Sequence, residues 1–230
     1  ELFRSNRVDG VIFLASIFTP LHDAVLKKMR VPVVIMGQEY KGANCVCHDD
    51  CKAAYSAEML MLEKGGKKPA FIGVTESDKA AGLARKEGFL HALADSGISI
   101  SRGDMLTAKF KMDSGCEKAL ALLKSGKKYD HIFCATDSIA AGALLACREL
   151  GLRVPEDVML AGIGDSQLCK VTSTTLTSVH LHYRTAGIEA AQMLLNSLKR
   201  ESPIPRTLTL DFELIERGST DKNMKLYETL

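Results

Sequence analysis

Polar residues punctuate the apolar runs of this sequence at a recurring place, the carboxyl end of each run. Asp78 follows Ile72–Val74, Thr136 and Asp137 follow Ile132–Ala135, Asp165 follows Met159–Ile163, and Ser16 ends the first run. Carboxylates, the planar donors of an arginine and an aromatic face for apolar C–H patches together equip a surface to recognise a hydroxylated ring. Arg85, in the helical stretch Leu83–Leu93, and Phe110, in Lys109-Phe-Lys111, supply the other two types. Taken singly, these residues have plainer uses: the aspartates as helix caps, Arg85 as a surface charge, Phe110 as a core plug.

Catalysis has no visible carrier. There is no Gly-x-x-x-x-Gly-Lys-Ser/Thr phosphate cradle and no Gly-x-Ser-x-Gly elbow to expose a serine. Gly162-Ile-Gly164 follows an apolar run, but residue 167 is Gln, where a dinucleotide site needs a third small residue for close helix–strand packing. The cluster Cys45-Val-Cys-His-Asp-Asp-Cys51 holds metal-ligand types. Its Cys45 and Cys47 are two apart on a strand, however, and no second pair follows to complete a four-ligand site. A buried strand running into a helix cap is the plainer reading. The expectation is a binding protein without cofactor or metal, and not an enzyme.

The elements that must position these residues alternate. Val8–Ala15, Val31–Met36, Pro69–Val74, Asp130–Ala135 and Asp157–Ile163 read as buried parallel strands, being short and rich in Val, Ile and Phe. Between and after them, apolar residues at threes and fours predict helices over Leu21–Met29, Cys51–Glu63, Ala80–Ser96, Ser114–Lys124, Ser138–Leu150 and Thr185–Leu198. Asp50 can cap the second of these helices, and Asp137 or Ser138 the fifth; Gly65-Gly66 and Gly151 stand where helices stop. Alternation of this kind implies a parallel sheet covered on both faces. The βα units of 230 residues are too many for one sheet, so two adjacent doubly wound lobes are expected. Residues from Ser219 onward read as a polar, peripheral tail, and Glu1–Arg7 as the end of a helix.

Composition narrows the partners. Thirty basic against 28 acidic residues leave +2, so the chain by itself shows no electrostatic grip on nucleic acid. Its longest apolar stretches fall well short of the roughly 20 residues that span a bilayer. Seven cysteines, an odd number and several inside apolar runs, argue against a disulfide framework and for a reducing cytosol. No charged stretch followed by an apolar one marks a secretory signal in what is shown.

The run Phe133-Cys-Ala-Thr-Asp-Ser-Ile-Ala-Ala-Gly-Ala143, then Gly151-Leu-Arg-Val-Pro-Glu-Asp-Val158, Ala161-Gly-Ile-Gly-Asp165 and Leu176-Thr-Ser-Val179, resembles the lactose/galactose repressor family of bacterial transcription factors. Val8-Asp-Gly-Val-Ile-Phe13, Val31-Pro-Val-Val-Ile-Met-Gly37, Arg85-Lys-Glu-Gly-Phe89, the Glu63–Gly73 stretch and Gly187-Ile-Glu-Ala-Ala191 continue the resemblance. It covers about residues 8–218 in the family's order. It implies a type I periplasmic-binding-protein-like α/β fold, two lobes joined by three crossovers with a small effector in the cleft. Residues 1–64 and 180–205 would form one lobe, 65–179 and 206–218 the other. Against the family, the first strand–helix–strand of the N-terminal lobe is missing, as are the helix-turn-helix and hinge helix that bind DNA.

Position by position, the resemblance makes Arg85 the sugar-hydroxyl arginine, Asp50 a polar cleft residue, and Phe110 the aromatic that stacks on the ring; Asp78 is a ligand candidate from its place at a strand end. Thr136 and Asp137 match the family's cleft pair, and Tyr183 a second aromatic at a crossover. Where many members carry Gly-Phe/Tyr-Asp-Asp, this chain has Gly162-Ile-Gly164-Asp165. Either Asp165 takes over the ligand contact or the contact is lost and the ligand differs. Gly73-Val-Thr-Glu-Ser-Asp78 and Val179-His-Leu-His-Tyr183 resemble trehalose and sucrose repressors in particular, which points to a disaccharide or its phosphate. The implied protein is a cytoplasmic, homodimeric sugar sensor that reaches operator DNA through an N-terminal domain absent from this chain. A secreted sugar-binding component of a transporter shares the fold and is the alternative.

Overall fold

A computed structural model describes residues 8–14, 16–199, 204–221 and 223. The expected helix end at Glu1–Arg7 and the last residues of the expected tail lie outside them. The chain divides at Asp49/Asp50, Leu181/His182 and Asp211/Phe212 into two compact units, so it passes between them three times.

The first unit holds β1 (Val11–Leu14), α1 (Pro20–Leu26), β2 (Val33–Met36), β3 (Asn44–His48), α7 (Tyr183–Leu198) and β9 (Thr207–Leu210). Its sheet runs β1-β2-β3-β9, every pairing parallel. Strand alternation sends Val34 and Val46 to one face, against Ala186, Ala190 and Met193 of α7. It sends Ile35, Cys45 and Cys47 to the other face, against Phe13, Phe18 and Leu26. Thr19 caps α1 by accepting from the His22 amide at 3.3 Å, and Pro20 occupies the first turn.

The second unit holds α2 (Asp50–Glu63), β4 (Pro69–Gly73), a π-helical segment (Lys79–Ala84), α3 (Arg85–Asp95), β5 (Met105–Thr107), α4 (Met112–Leu123), β6 (His131–Cys134), α5 (Asp137–Glu149), β7 (Met159–Ile163), α6 (Leu168–Val171), β8 (Thr177–Leu181) and β10 (Phe212–Ile215). The sheet order is β10-β8-β7-β6-β4-β5. All pairs are parallel except the edge strand β10, which runs antiparallel to β8. Register explains the two-sided core. Phe71 of β4 lies beside Phe133 of β6 and Ala161 of β7, all facing α2 and α3, with Phe71 and Phe133 stacked at 5.7 Å. One residue along, Ile72, Cys134 and Leu160 face α4 and α5.

Four expectations need correction. The unit boundary lies at Asp50 and not at residue 64, because α2 buries Ala53, Ala54, Ala57 and Met61 against the Phe71–Phe133 face. β9, expected in the second lobe, pairs with β3 in the first. The tail does not begin at Ser219: its hydroxyl is wholly buried, accepting from the Thr177 amide at 2.8 Å and donating to the Leu160 carbonyl at 2.6 Å. The helix expected over Ala80–Ser96 opens as a π-helical segment before becoming α-helical. A Cβ at Gly82 would stand 2.0 Å from the Thr75 carbonyl oxygen, so only glycine lets this wider turn lie against the preceding loop.

Candidate functional site

Strand order places the site. The chain leaves β4 for β5 on one side and returns to β6 on the other. The carboxyl ends of β4 and β6 therefore flank the point where the winding reverses, the position at which open α/β sheets bind ligands. Asp78 and Arg85 follow β4, Thr136 and Asp137 follow β6, Asp165 follows β7, and Phe110 follows β5. All six lie at one edge of the second unit's sheet, and Asp50 joins them at the start of α2.

Arg85 is the centre of this group. It is 6% exposed, so the surface-charge reading falls. Its Nε and Nη2 both donate to Asp50 Oδ1 at 2.7 Å, and its Nη1 donates to the Ala135 carbonyl at 2.6 Å. Two charges removed from water must be matched in this way, since an isolated buried ion costs several kcal/mol. The planar guanidinium is thereby tied to the start of α2 and to the residue that follows β6. Gly88, one turn on, lets α3 approach α2: a Cβ there would meet the Cys51 carbonyl oxygen at 2.0 Å.

The aspartates divide between capping and networks. Asp78 is 3% exposed and caps the π-helical segment, accepting from the Ala80 and Ala81 amides at 3.1 and 2.9 Å. Burial raises its pKa above the ordinary carboxylate value, against the opposing pull of those amides and of Arg85. Thr136, and neither Asp137 nor Ser138, caps α5, its hydroxyl accepting from the Ile139 amide at 3.4 Å. Asp137 is 3% exposed; it accepts from the Ser178 hydroxyl at 2.6 Å and from the Ser166 amide at 2.7 Å. A Cβ at Gly162 would come within 2.8 Å of Asp137 Oδ1, so this glycine of the Gly162-Ile-Gly164 run serves packing.

Asp165 stands at φ +48° and engages both oxygens, with Arg217 Nη2 at 2.6 Å and His180 Nδ1 at 3.0 Å. Its carboxylate is thereby tied to β8 and to the segment after β10. Phe110 is about half exposed and so is no core plug. Tyr183 also lies half exposed, its ring edge-on to His48 at 5.4 Å, but it belongs to the other unit. Ser166, Ser178, His180, Arg217 and the Ala135 carbonyl enter the arrangement without having been anticipated. Only Ser178 and His180 carried a signal, their alternation within the strand-like Thr177–Leu181.

Among the described residues, no group of three His, Cys, Asp or Glu side chains gathers as a cation site. Cys45 contacts the Tyr40 and Ala43 carbonyls, and Asp50 is engaged by Arg85. All seven cysteines are reduced. Burial pushes the thiols of Cys147 and Cys169 up to about 11 and about 12, and that of Cys134 higher still, which keeps them protonated at neutral pH.

At the far end of β6, His131 is fully buried between two carboxylates. Its Nδ1 meets Asp130 Oδ1 at 2.6 Å and its Nε2 meets Glu58 Oε1 at 2.8 Å. Burial alone would lower the histidine's pKa, but the two carboxylates outweigh it and raise the pKa to about 9. Burial likewise opposes ionisation of Asp130, yet His131 and the Lys68 and Lys67 amides bring it to about 2. Burial dominates at Glu58 and raises it.

Comparison with known proteins bears on the fold and the family. Residues 60–220 match the periplasmic binding protein-like domain family. The sucrose operon repressor of Staphylococcus xylosus is 29% identical over 93% of this chain and 65% of its own length. The HTH-type transcriptional regulator RegA of Clostridium saccharobutylicum is 30% identical over 96% of this chain and 67% of its own. Among solved structures, a complex of the transcriptional regulator CelR with cellobiose superposes with a TM-score of 0.86 at 29% identity, covering 93% of this chain and 66% of that one. Fold and comparisons together define a type I periplasmic-binding-protein-like domain. The chain belongs, within that class, to the lactose/galactose repressor (LacI/GalR) family and spans about two thirds of the length of the curated relatives it matches. Among the described residues, no helix is long and apolar enough to cross a membrane.

Proposed function

We propose that this chain is the effector-binding core of a cytoplasmic LacI-family transcription repressor, and that its effector is a disaccharide or disaccharide phosphate. The observation that carries the reading is Arg85, buried at the β4–β6 switch point and braced by Asp50 and the Ala135 carbonyl. A planar donor fixed in this way is preorganised for a hydroxylated ligand, so little ordering cost falls on binding. Phe110, exposed at the same edge, offers the ring face, and Asp78, Thr136, Asp137 and Asp165 set the edge's polarity. Tyr183 joins them on the strength of the family resemblance alone. The sucrose operon repressor and the cellobiose complex among its relatives favour a disaccharide.

As a repressor, the protein would act as a homodimer, because two DNA-binding heads must read two half-sites. Those heads would be a helix-turn-helix segment outside this sequence. Effector binding moves them only in so far as it favours one arrangement of the protein over another.

The deciding experiment is calorimetric titration against sucrose, trehalose, cellobiose and their 6-phosphates, with fructose and galactose as controls. Micromolar binding of one disaccharide is expected. Arg85→Ala should weaken it by about 2–5 kcal/mol, since ligand hydroxyls lose a buried, charged partner. Unchanged affinity in that variant removes Arg85 from the site, and silence across the panel removes the disaccharide.

A further inference from the structure

We propose that Arg217 is a positioning residue for the ligand edge of the second unit, holding Asp165 in its left-handed turn and, through Ser178, setting the Asp137 carboxylate. The ligand side of this inference rests on the reading of that edge given above; the turn-holding side does not.

Arg217 lies just beyond β10, 52 residues from Asp165, and is 2% exposed. Its Nη2 donates to Asp165 Oδ1 at 2.6 Å and its Nη1 to the Leu176 carbonyl at 2.9 Å. Its backbone amide donates to Thr177 Oγ1 at 2.8 Å, which fixes the arginine to β8 as well. Asp165 is the one non-glycine residue with positive φ among the described residues. Such a backbone persists only where surrounding contacts over-determine it. The fork supplies one of these contacts, and Ser178 supplies another by accepting from the Asp165 amide at 3.0 Å. The same serine hydroxyl donates to Asp137 Oδ1 at 2.6 Å, while the amide of Ser166, next in the turn, donates to Asp137 Oδ2 at 2.7 Å. Both oxygens of Asp137 thus depend on the turn that Arg217 holds. Without the planar fork, Asp165 can relax to negative φ, carrying the Ser166 amide away from Asp137.

The test uses Arg217→Lys, which keeps the charge but cannot span Asp165 and Leu176 together, and Asp165→Asn, in the whole chain. Amide hydrogen exchange needs no ligand. Arg217→Lys should speed exchange at Asp165 and Ser166 by about tenfold or more while Ile132–Cys134 stay protected, because a local opening leaves the core closed. Unchanged exchange at the turn, or equal acceleration throughout the unit, overturns the proposal. For a sugar that binds the wild-type chain, each single variant should weaken binding about tenfold and the double variant no further, since both act through one turn. Fully additive losses overturn the coupling. If no sugar binds the wild-type chain, the reading of the edge fails together with the ligand side of this inference, and the exchange measurement alone decides the turn.

Discussion

Arg85 and Asp50 show what a buried ion pair does at a binding edge. The pair contributes little net stability, because desolvation offsets most of the Coulombic gain, but breaking it strands a charge. Arg85→Ala should therefore cost about 3–5 kcal/mol in urea-induced unfolding, from loss of the partner that satisfies Asp50. Replacing both residues, as Asp50→Leu with Arg85→Met, should cost much less. Equal losses in the two variants would show that packing, and not charge, holds this position. The chemical types at the site were legible in the sequence: a carboxylate after each of several strands, one arginine, one aromatic. Their local contacts were legible only as alternatives, since the aspartates read equally as helix caps and as ligand groups. Asp78 and Thr136 turn out to cap helical segments, and Asp165 to meet Arg217 and His180, because a strand-end residue is also a helix-start residue and the local sequence satisfies both descriptions.

At the level of elements, two helix contacts are set by missing side chains. Gly88 brings α3 onto the backbone of α2, and Gly115 with Gly142 does the same for α4 and α5, where an added Cβ would stand 2.7 and 2.2 Å from backbone oxygens. Gly88→Ala should push α3 away from α2 and cost about 1–3 kcal/mol by thermal or urea unfolding. An unchanged midpoint would mean that the two helices can shift freely. The final segment makes a second case. Ending the chain after Gly218 removes the Ser219 hydroxyl that bridges the Thr177 amide and the Leu160 carbonyl. With the Ser219 backbone, which pairs with the Leu160 amide and the Thr175 carbonyl, also gone, four buried backbone groups lose their partners, at about 1–3 kcal/mol each. A stable, fully folded truncated chain would restore the original view of a peripheral tail. Helices and central strands were legible from their periodicity. β9 and β10 were overlooked, although Thr207-Leu-Thr-Leu210 and Phe212-Glu-Leu-Ile215 alternate as half-buried strands do.

For the molecule as a whole, pH should act through His131. Its folded pKa of about 9 lies above the ordinary 6.5, so its contribution is complete below 6.5 and disappears as pH rises through 9. The difference corresponds to up to about 3 kcal/mol. Asp130, lowered to about 2, adds stability that is present above the ordinary 3.8 and is lost as pH falls through 2. The His131 and Asp130 contributions, measured by urea unfolding, should thus be greatest together between about pH 4 and 6.5. Glu58, raised by burial, contributes on the acid side and loses that contribution as pH rises. Glu58→Gln, which withdraws one carboxylate, should move the alkaline loss to lower pH; a profile that does not move would show that Asp130 alone holds the proton.

The residues alone settle the class of fold and the edge of the sheet on which polar groups gather, because periodicity and strand-end placement are properties of neighbouring residues; the family rests instead on the resemblance of whole motifs. Tertiary structure decides which of those groups meet. Asp50 finds Arg85 across 35 residues, Glu58 finds His131 across 73, and Asp165 finds Arg217 across 52. Each partnership is chosen by the order β10-β8-β7-β6-β4-β5, and no local pattern encodes it. The boundary at Asp50 is of the same kind, since α2 goes to whichever apolar face the assembled sheet offers it.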